Sequence, residues 1–257
     1  MLELNPTNLG LMLLASASAG LVDAIVGGGG LIMVPSLFGL FPQAVPATLL
    51  GTNKAASVWG TGWSAWQYAQ RVRLPSARLW GAMAAALGGA LLGAWLATRV
   101  PAAQFRLALP GVLVGVWAYT LWRKDMGHTH APHLSPRAEA LTATGLGGLI
   151  GFYDGVFGPG TGSLLAFIFV RFFAYDFLTA TASAKVINLT TNLAALSFFV
   201  PNGHIVWAWA LPLALANLSG GLVGAHLAMR GGSKFLRYGF MALLCIMIGK
   251  FGWDLLH

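Results

Sequence analysis

The chain has 257 residues, 57% of them hydrophobic and only 9% charged, with 15 Lys and Arg against 7 Asp and Glu and a formal net charge of +8. Soluble domains carry roughly 25% charged residues, so these charges are too few to clothe a water-facing globule and instead suit an outer wall that meets lipid. The positive balance does not indicate nucleic acid, because the basic residues are scattered through short connections, and the cytoplasmic loops of membrane proteins collect Lys and Arg.

The opening MLELNPTNLG lacks the positive start of a cleaved signal peptide, so the first apolar run, 8–26, is expected to stay as a membrane helix. Apolar segments follow at 31–41, 47–70, 76–98 and 102–122. A polar stretch, 123–137 (RKDMGHTHAPHLSPR), precedes five more at 139–157, 163–175, 178–200, 205–228 and 234–256. Most of these runs approach the roughly 20 apolar residues that a membrane-crossing helix needs. The alternation of apolar and polar residues that marks a transmembrane β-barrel strand is absent. The expected fold is an all-α membrane protein of about ten transmembrane segments. An N-terminal repeat, 1–122, and a C-terminal repeat, 138–257, are joined by the polar linker 123–137.

Sliding the chain along itself supports that division. At an offset of 131 residues, Asp23 falls on Asp154, Lys54 on Lys185, Arg99 on Arg230, Arg106 on Arg237 and Trp122 on Trp253, and GALLGAWLATR falls on GGLVGAHLAMR. Five crossings per half would start the second half from the opposite side of the membrane, giving the inverted repeat common among secondary transporters. One side then receives Arg71, Arg73, Arg78, Arg123, Lys124, Arg137, Arg171, Arg230, Lys234 and Arg237, and the other only Arg99, Arg106 and Lys250. That bias puts both termini in the periplasm. Were segments 31–41 and 163–175 re-entrant instead, the basic residues would divide nearly evenly.

Those two segments are the short ones, and each follows a glycine-rich break, at Gly27-Gly28-Gly29-Gly30 and at Gly158-Pro159-Gly160-Thr161-Gly162. Paired, interrupted segments are the sequence mark of a transporter's central site. Helix N-termini exposed there carry partial positive charge and suit anions. The backbone of Gly28, Gly29, Gly30, Gly160, Thr161 and Gly162 is therefore a candidate anion cradle.

Lys54, in TNKAAS, and Lys185, in SAKVIN, lie in otherwise apolar segments. Charges at membrane depth are costly and mark a pathway or a partner. Two symmetric ammonium groups beside two helix N-termini would trap an anion. Asn53 and Asn188, within a helical turn of the lysines, and Thr52 and Ser183 are candidates to hydrogen-bond its oxygens; Ser57, Thr190, Thr191 and Asn192 belong to the same polar set. Asp23 and Asp154 would pair with the lysines or carry coupling protons. In the alternative reading the two aspartates ligate a metal cation and the lysines are counter-charges.

Other features carry less. Gly89 and Gly93, like Gly220 and Gly224, read as close helix packing. Cys245 allows no intrachain disulfide and reads as a small core residue. His128, His130 and His133 read as a solvated loop. No HExxH helix, nucleophile elbow or acid/base dyad suggests an enzyme.

In GLVDAIVGGGGLIMVPSLF followed by GTNKAAS, and again in GFYDGVFGPGTGSLL followed by ASAKVINLTTNLAAL, the chain resembles the TauE/SafE family of sulfite exporters over essentially its whole length. The first copy has Gly30 and Leu31 where the second has Thr161 and Gly162. The resemblance implies a bacterial inner-membrane permease for small sulfur-containing anions, among them sulfite, thiosulfate, sulfoacetate and other organosulfonates. It also implies a duplicated helical architecture without a redox cofactor. The expectation is a secondary transporter, working as an exporter by alternating access, whose partners are a small anion and the bilayer. The anion, the coupling ion and any homo-oligomer stay open.

Overall fold

The computed structural model describes residues 6–72, 74, 76–122, 131 and 133–230. Among them every regular element is a helix: α1 Pro6–Val26, α2 Gly30–Leu40, α3 Pro46–Arg71, α4 Ser76–Ala97, α5 Ala102–Trp122, α6 Pro136–Val156, α7 Thr161–Phe173, α8 Phe177–Phe199 and α9 Trp207–Arg230. These nine fall on the first nine segments expected from the sequence. The tenth, 234–256, lies outside the described residues, as do Cys245 and most of the linker.

The start signals are local. Pro46 and Pro136 occupy first turns, where a missing N–H costs nothing. Ser135 and Asp176 cap α6 and α8 by accepting from the Ala138 and Thr179 N–H groups. Helices α1, α4 from Leu79 and α9 are long and apolar enough to cross a membrane. α2 and α7, with 11 and 13 residues, reach only about 16–20 Å at 1.5 Å per residue, well short of a roughly 30 Å hydrocarbon layer. The outer wall is apolar: Leu107 is 81% exposed and Leu215 70%, a pattern that fits lipid contact rather than water.

The two sequence halves interlock. α4 packs along α6, and α1 along α9. Both contacts are seams of small residues. A Cβ on Gly89 or Gly93 would strike the Gly148 or Phe152 carbonyl of α6, and one on Gly220 or Gly224 would strike the Ala17 or Leu21 carbonyl of α1. The sequence offset aligns Gly89 with Gly220 and Gly93 with Gly224, so one packing device occurs twice. Small residues allow helix backbones to touch where no hydrophobic force drives association.

At the centre the glycine breaks meet. Gly27 has a φ of +77°, open to glycine at no steric cost. A Cβ there would come within 2.5 Å of the Gly162 carbonyl carbon. Across this contact the Ser163 N–H donates to the Gly27 carbonyl at 3.1 Å, and the Ser163 hydroxyl to the Val26 carbonyl at 2.8 Å. The end of α1 is thus stitched to the start of α7.

Gly93→Ala is expected to destabilise the protein by about 1–3 kcal/mol through overpacking at the α4–α6 seam. Gly88, whose Cβ position is open, should accept alanine with no loss or a gain of about 0.5–1 kcal/mol. Reversible unfolding of the detergent-purified variants checks both.

Candidate functional site

Two buried ion pairs sit beside the meeting point of the breaks, and they are crossed. Lys54 on α3 donates to Asp154 Oδ2 on α6 at 2.6 Å. Lys185 on α8 donates to Asp23 Oδ2 on α1 at 2.9 Å and also to the Asp23 backbone carbonyl. Each half supplies the carboxylate for the other half's lysine. The four residues are nearly sealed, with exposures of 2% for Lys54, 2% for Asp154, 1% for Lys185 and 7% for Asp23. Asp23 and Asp154 thus take the charge-pairing place that the sequence offered them, and each ammonium group faces a carboxylate.

The environments of the pairs differ. Lys54 also donates to Asn192 Oδ1 at 3.1 Å, and Thr161 donates to Asp154 Oδ1 at 2.7 Å. At the other pair Thr61, which the offset aligns with Asn192, donates to Asp23 Oδ2 at 3.1 Å. Gly30, aligned with Thr161, has no side chain to offer. The pairs thus share a charge pattern but not a hydrogen-bond pattern.

A small cavity, of about 30 Å³, opens between the breaks. Of the residues singled out in the sequence, Asp23, Gly27, Gly29, Gly30, Asn53, Lys54, Ser57, Asp154, Gly158, Thr161, Gly162, Asn188 and Asn192 line it. Lys185, Thr52, Ser183, Gly28 and Gly160 do not. Thr52 is an internal tie: its hydroxyl donates to the Thr48 carbonyl at 2.7 Å and accepts from the Val206 N–H at 3.0 Å. Ser183, its counterpart, is buried with a hydroxyl that has no partner among the described residues. Gly160, in the left-handed region, is the N-cap of α7.

The helix-start N–H groups are largely used within the protein. Leu31 and Ile32 donate to the Gly28 and Gly29 carbonyls at 3.0 Å each, Thr161 donates to the Gly158 carbonyl at 3.4 Å, and Ser163 to Gly27. What the breaks present to the cavity is the backbone at Gly29, Gly30 and Gly162, where no side chain shields it.

Sequence reasoning passed over Asn217 on α9 and Thr61 on α3. Asn217 donates from Nδ2 to the Ser16 carbonyl at 3.2 Å, while its Oδ1 and that of Asn53 are buried without a partner among the described residues. Its signal was legible: an amide in the apolar run LPLALANLSGG, where the offset partner is Ala86. For the metal reading, the described residues hold no group of three or more His, Cys, Asp and Glu side chains that could ligate an ion. Each aspartate carboxylate is also already bound by an ammonium group.

Removing one member of a buried pair strands the other charge and costs about 3–5 kcal/mol. Lys54→Met and Asp154→Leu should each destabilise on that scale, while the double variant should cost much less than their sum. The same cycle on Lys54 and Asp23, which share a sequence half, should show far weaker coupling. Unfolding midpoints of the six proteins in the two cycles, which share the wild type and Lys54→Met, measure both.

Comparison with known proteins follows the same geometry. The family description "Sulfite exporter TauE/SafE" matches residues 12–251. The chain is 37% identical to "Probable membrane transporter protein ORF9" of Sinorhizobium sp, across 89% of this chain and 86% of that protein. It is 33% identical to a "Probable membrane transporter protein" of Haemophilus influenzae, covering 92% and 91% of the two chains. It is 31% identical to "Probable membrane transporter protein YfcA" of Escherichia coli K12, covering 97% and 91%. No solved structure matches the chain. With a family match over nearly the whole length and an all-helical, apolar-walled fold, the chain belongs to the sulfite exporter TauE/SafE family of multi-pass membrane transporters.

Proposed function

We propose that this transporter moves small oxyanions, with sulfite and organosulfonates as first candidates, out across the bacterial inner membrane by alternating access. One observation carries the reading: Lys54 lines a cavity between the two glycine breaks, together with Asn53, Asn188 and Asn192. An ammonium and neutral hydrogen-bonding amides suit an oxyanion, and the amides bind it weakly enough to permit release. The family's printed description as sulfite exporters supports the sulfur-containing class.

The architecture supports the transport cycle. The cavity is small, and parting of the surrounding helices would widen it for an oxyanion of four or more heavy atoms. Two inverted five-segment repeats, α1–α5 and α6–α9 with segment 234–256, would do this by rocking about the central contact. The crossed ion pairs and the doubled glycine seams support the pseudo-twofold relation. The bias of basic residues supports periplasmic termini.

The test is uptake of labelled sulfite and methanesulfonate into proteoliposomes. Saturable, counterflow-competent transport is expected from the wild-type chain, inhibited by other small oxyanions and not by divalent cations. Lys54→Ala should lower it at least about tenfold, a loss of about 1.4 kcal/mol or more in binding or transition-state energy. Inhibition by cations, with Lys54→Ala fully active, would contradict the anion reading and favour the aspartates as the binding groups.

A further inference from the structure

We infer that Asp154 is a built-in occupant of the anion site: its carboxylate holds Lys54 in the closed protein, and the transported oxyanion takes its place. The inference rests on the oxyanion reading above and specifies how that site loads.

The argument starts from the unlike roles of two aligned lysines. Lys54 borders the cavity, and Lys185 does not. Lys185 is tied twice to one residue, through the Asp23 carboxylate and the Asp23 backbone carbonyl. The backbone tie cannot be exchanged for a solute without unwinding the end of α1. Among the described residues, Lys54 is held by side chains, the Asp154 carboxylate and the Asn192 amide oxygen. Both can turn away by side-chain rotation.

The Asp154 carboxylate shares with a solute oxyanion the features that this position uses, a negative charge spread over acceptor oxygens, although sulfite and sulfonates are pyramidal at sulfur with three oxygens. One oxygen meets the ammonium at 2.6 Å and the other takes the Thr161 hydroxyl at 2.7 Å. A solute oxyanion placed on Lys54 leaves Asp154 its Thr161 bond on Oδ1. It also gains the amides of Asn53 and Asn188, which the carboxylate does not engage. The partners of Asp154 come from α3 through Lys54 and from α7 through Thr161. Asp23 of α1 and Asn188 and Asn192 of α8 line the same cavity. Among the described residues lining the cavity, Lys54 is the one cation, so solute and carboxylate compete for a single ammonium group. The Lys185–Asp23 pair is then a fixed brace between the halves.

The competition predicts an effect opposite to that of ordinary site damage. Asp154→Asn keeps the shape and removes the internal competitor. The dissociation constant for methanesulfonate, measured by titration calorimetry on the purified full chain, is expected to fall at least about tenfold relative to wild type. Asp23→Asn should give no such gain. Asp154→Asn binding more weakly than wild type, or Asp23→Asn tightening as much, would overturn the inference while wild-type binding still upholds the oxyanion reading. A wild-type chain that binds neither methanesulfonate nor sulfite would overturn both. Should Asp154→Asn not fold, infrared difference spectra of the wild-type protein with and without methanesulfonate decide. Exchange shifts a carboxylate stretching band that persists in Asp23→Asn, and spectra with no carboxylate shift would overturn the inference.

Discussion

The fold turns on a requirement of electrostatics: an ammonium group cannot stay charged and alone in a medium that does not solvate it. Lys54 and Lys185 are sealed inside a protein whose outer wall is apolar, so each must be met by a carboxylate with good geometry. The chain meets that need across its two halves rather than within them. Lys54 of the first half finds Asp154 of the second, and Lys185 finds Asp23. Neither half is electrically complete without the other. The glycine breaks add a steric condition, since Gly27 and Gly162 touch backbone to backbone with no space for a side chain between them. Charge and shape together place the interface of the halves at the centre of the bundle.

Departures from symmetry then matter as much as the symmetry. The offset of 131 residues pairs Thr61 with Asn192, Gly30 with Thr161 and Ala86 with Asn217. Thr61 serves a carboxylate where Asn192 serves an ammonium group. Thr161 fastens Asp154 by a bond that Gly30 cannot make for Asp23. Asn217 brings an amide to the cavity where Ala86 can only pack against Gly151. A scaffold with two similar ends thus acquires one lysine that faces the cavity and one that does not. An alternating-access machine needs equivalent closures on its two sides, but it needs only one site for the solute. In the proposed cycle, duplication would supply the closures and the unpaired substitutions the site.

Much of this was legible in the sequence, for physical reasons that also mark where legibility ends. Segment positions followed from the length of apolar runs, because the thickness of a bilayer and the rise of a helix leave little freedom. The importance of Asp23, Asp154 and the lysines followed from the cost of buried charge. Which carboxylate meets which lysine could not be read, because the offset shows that the halves are alike and not how they face each other. The distinction between Lys54 and Lys185 was hidden for the same reason, since local sequence gives both the same standing. The helix-start N–H groups looked available because the sequence shows the breaks separately. Only their contact reveals that Ser163 spends its N–H on Gly27. Thr52 and Ser183 flank the lysines in sequence, yet on a helix such neighbours point away from one another, and neither lines the cavity. Asn217 comes from a helix far along the chain and enters the site only through the packing of α9 on α1.

The central claim is that a small oxyanion binds between the two breaks at Lys54. Selenite has the shape and charge of sulfite and scatters anomalously, so a crystallographic anomalous map of the full chain grown with selenite tests that claim most directly. The account predicts one strong peak within ion-pair reach of Lys54 Nζ, bordered by the Asn53 and Asn188 amides, with the Asp154 carboxylate turned away. A peak remote from both breaks, with the Lys54–Asp154 pair intact, would contradict it.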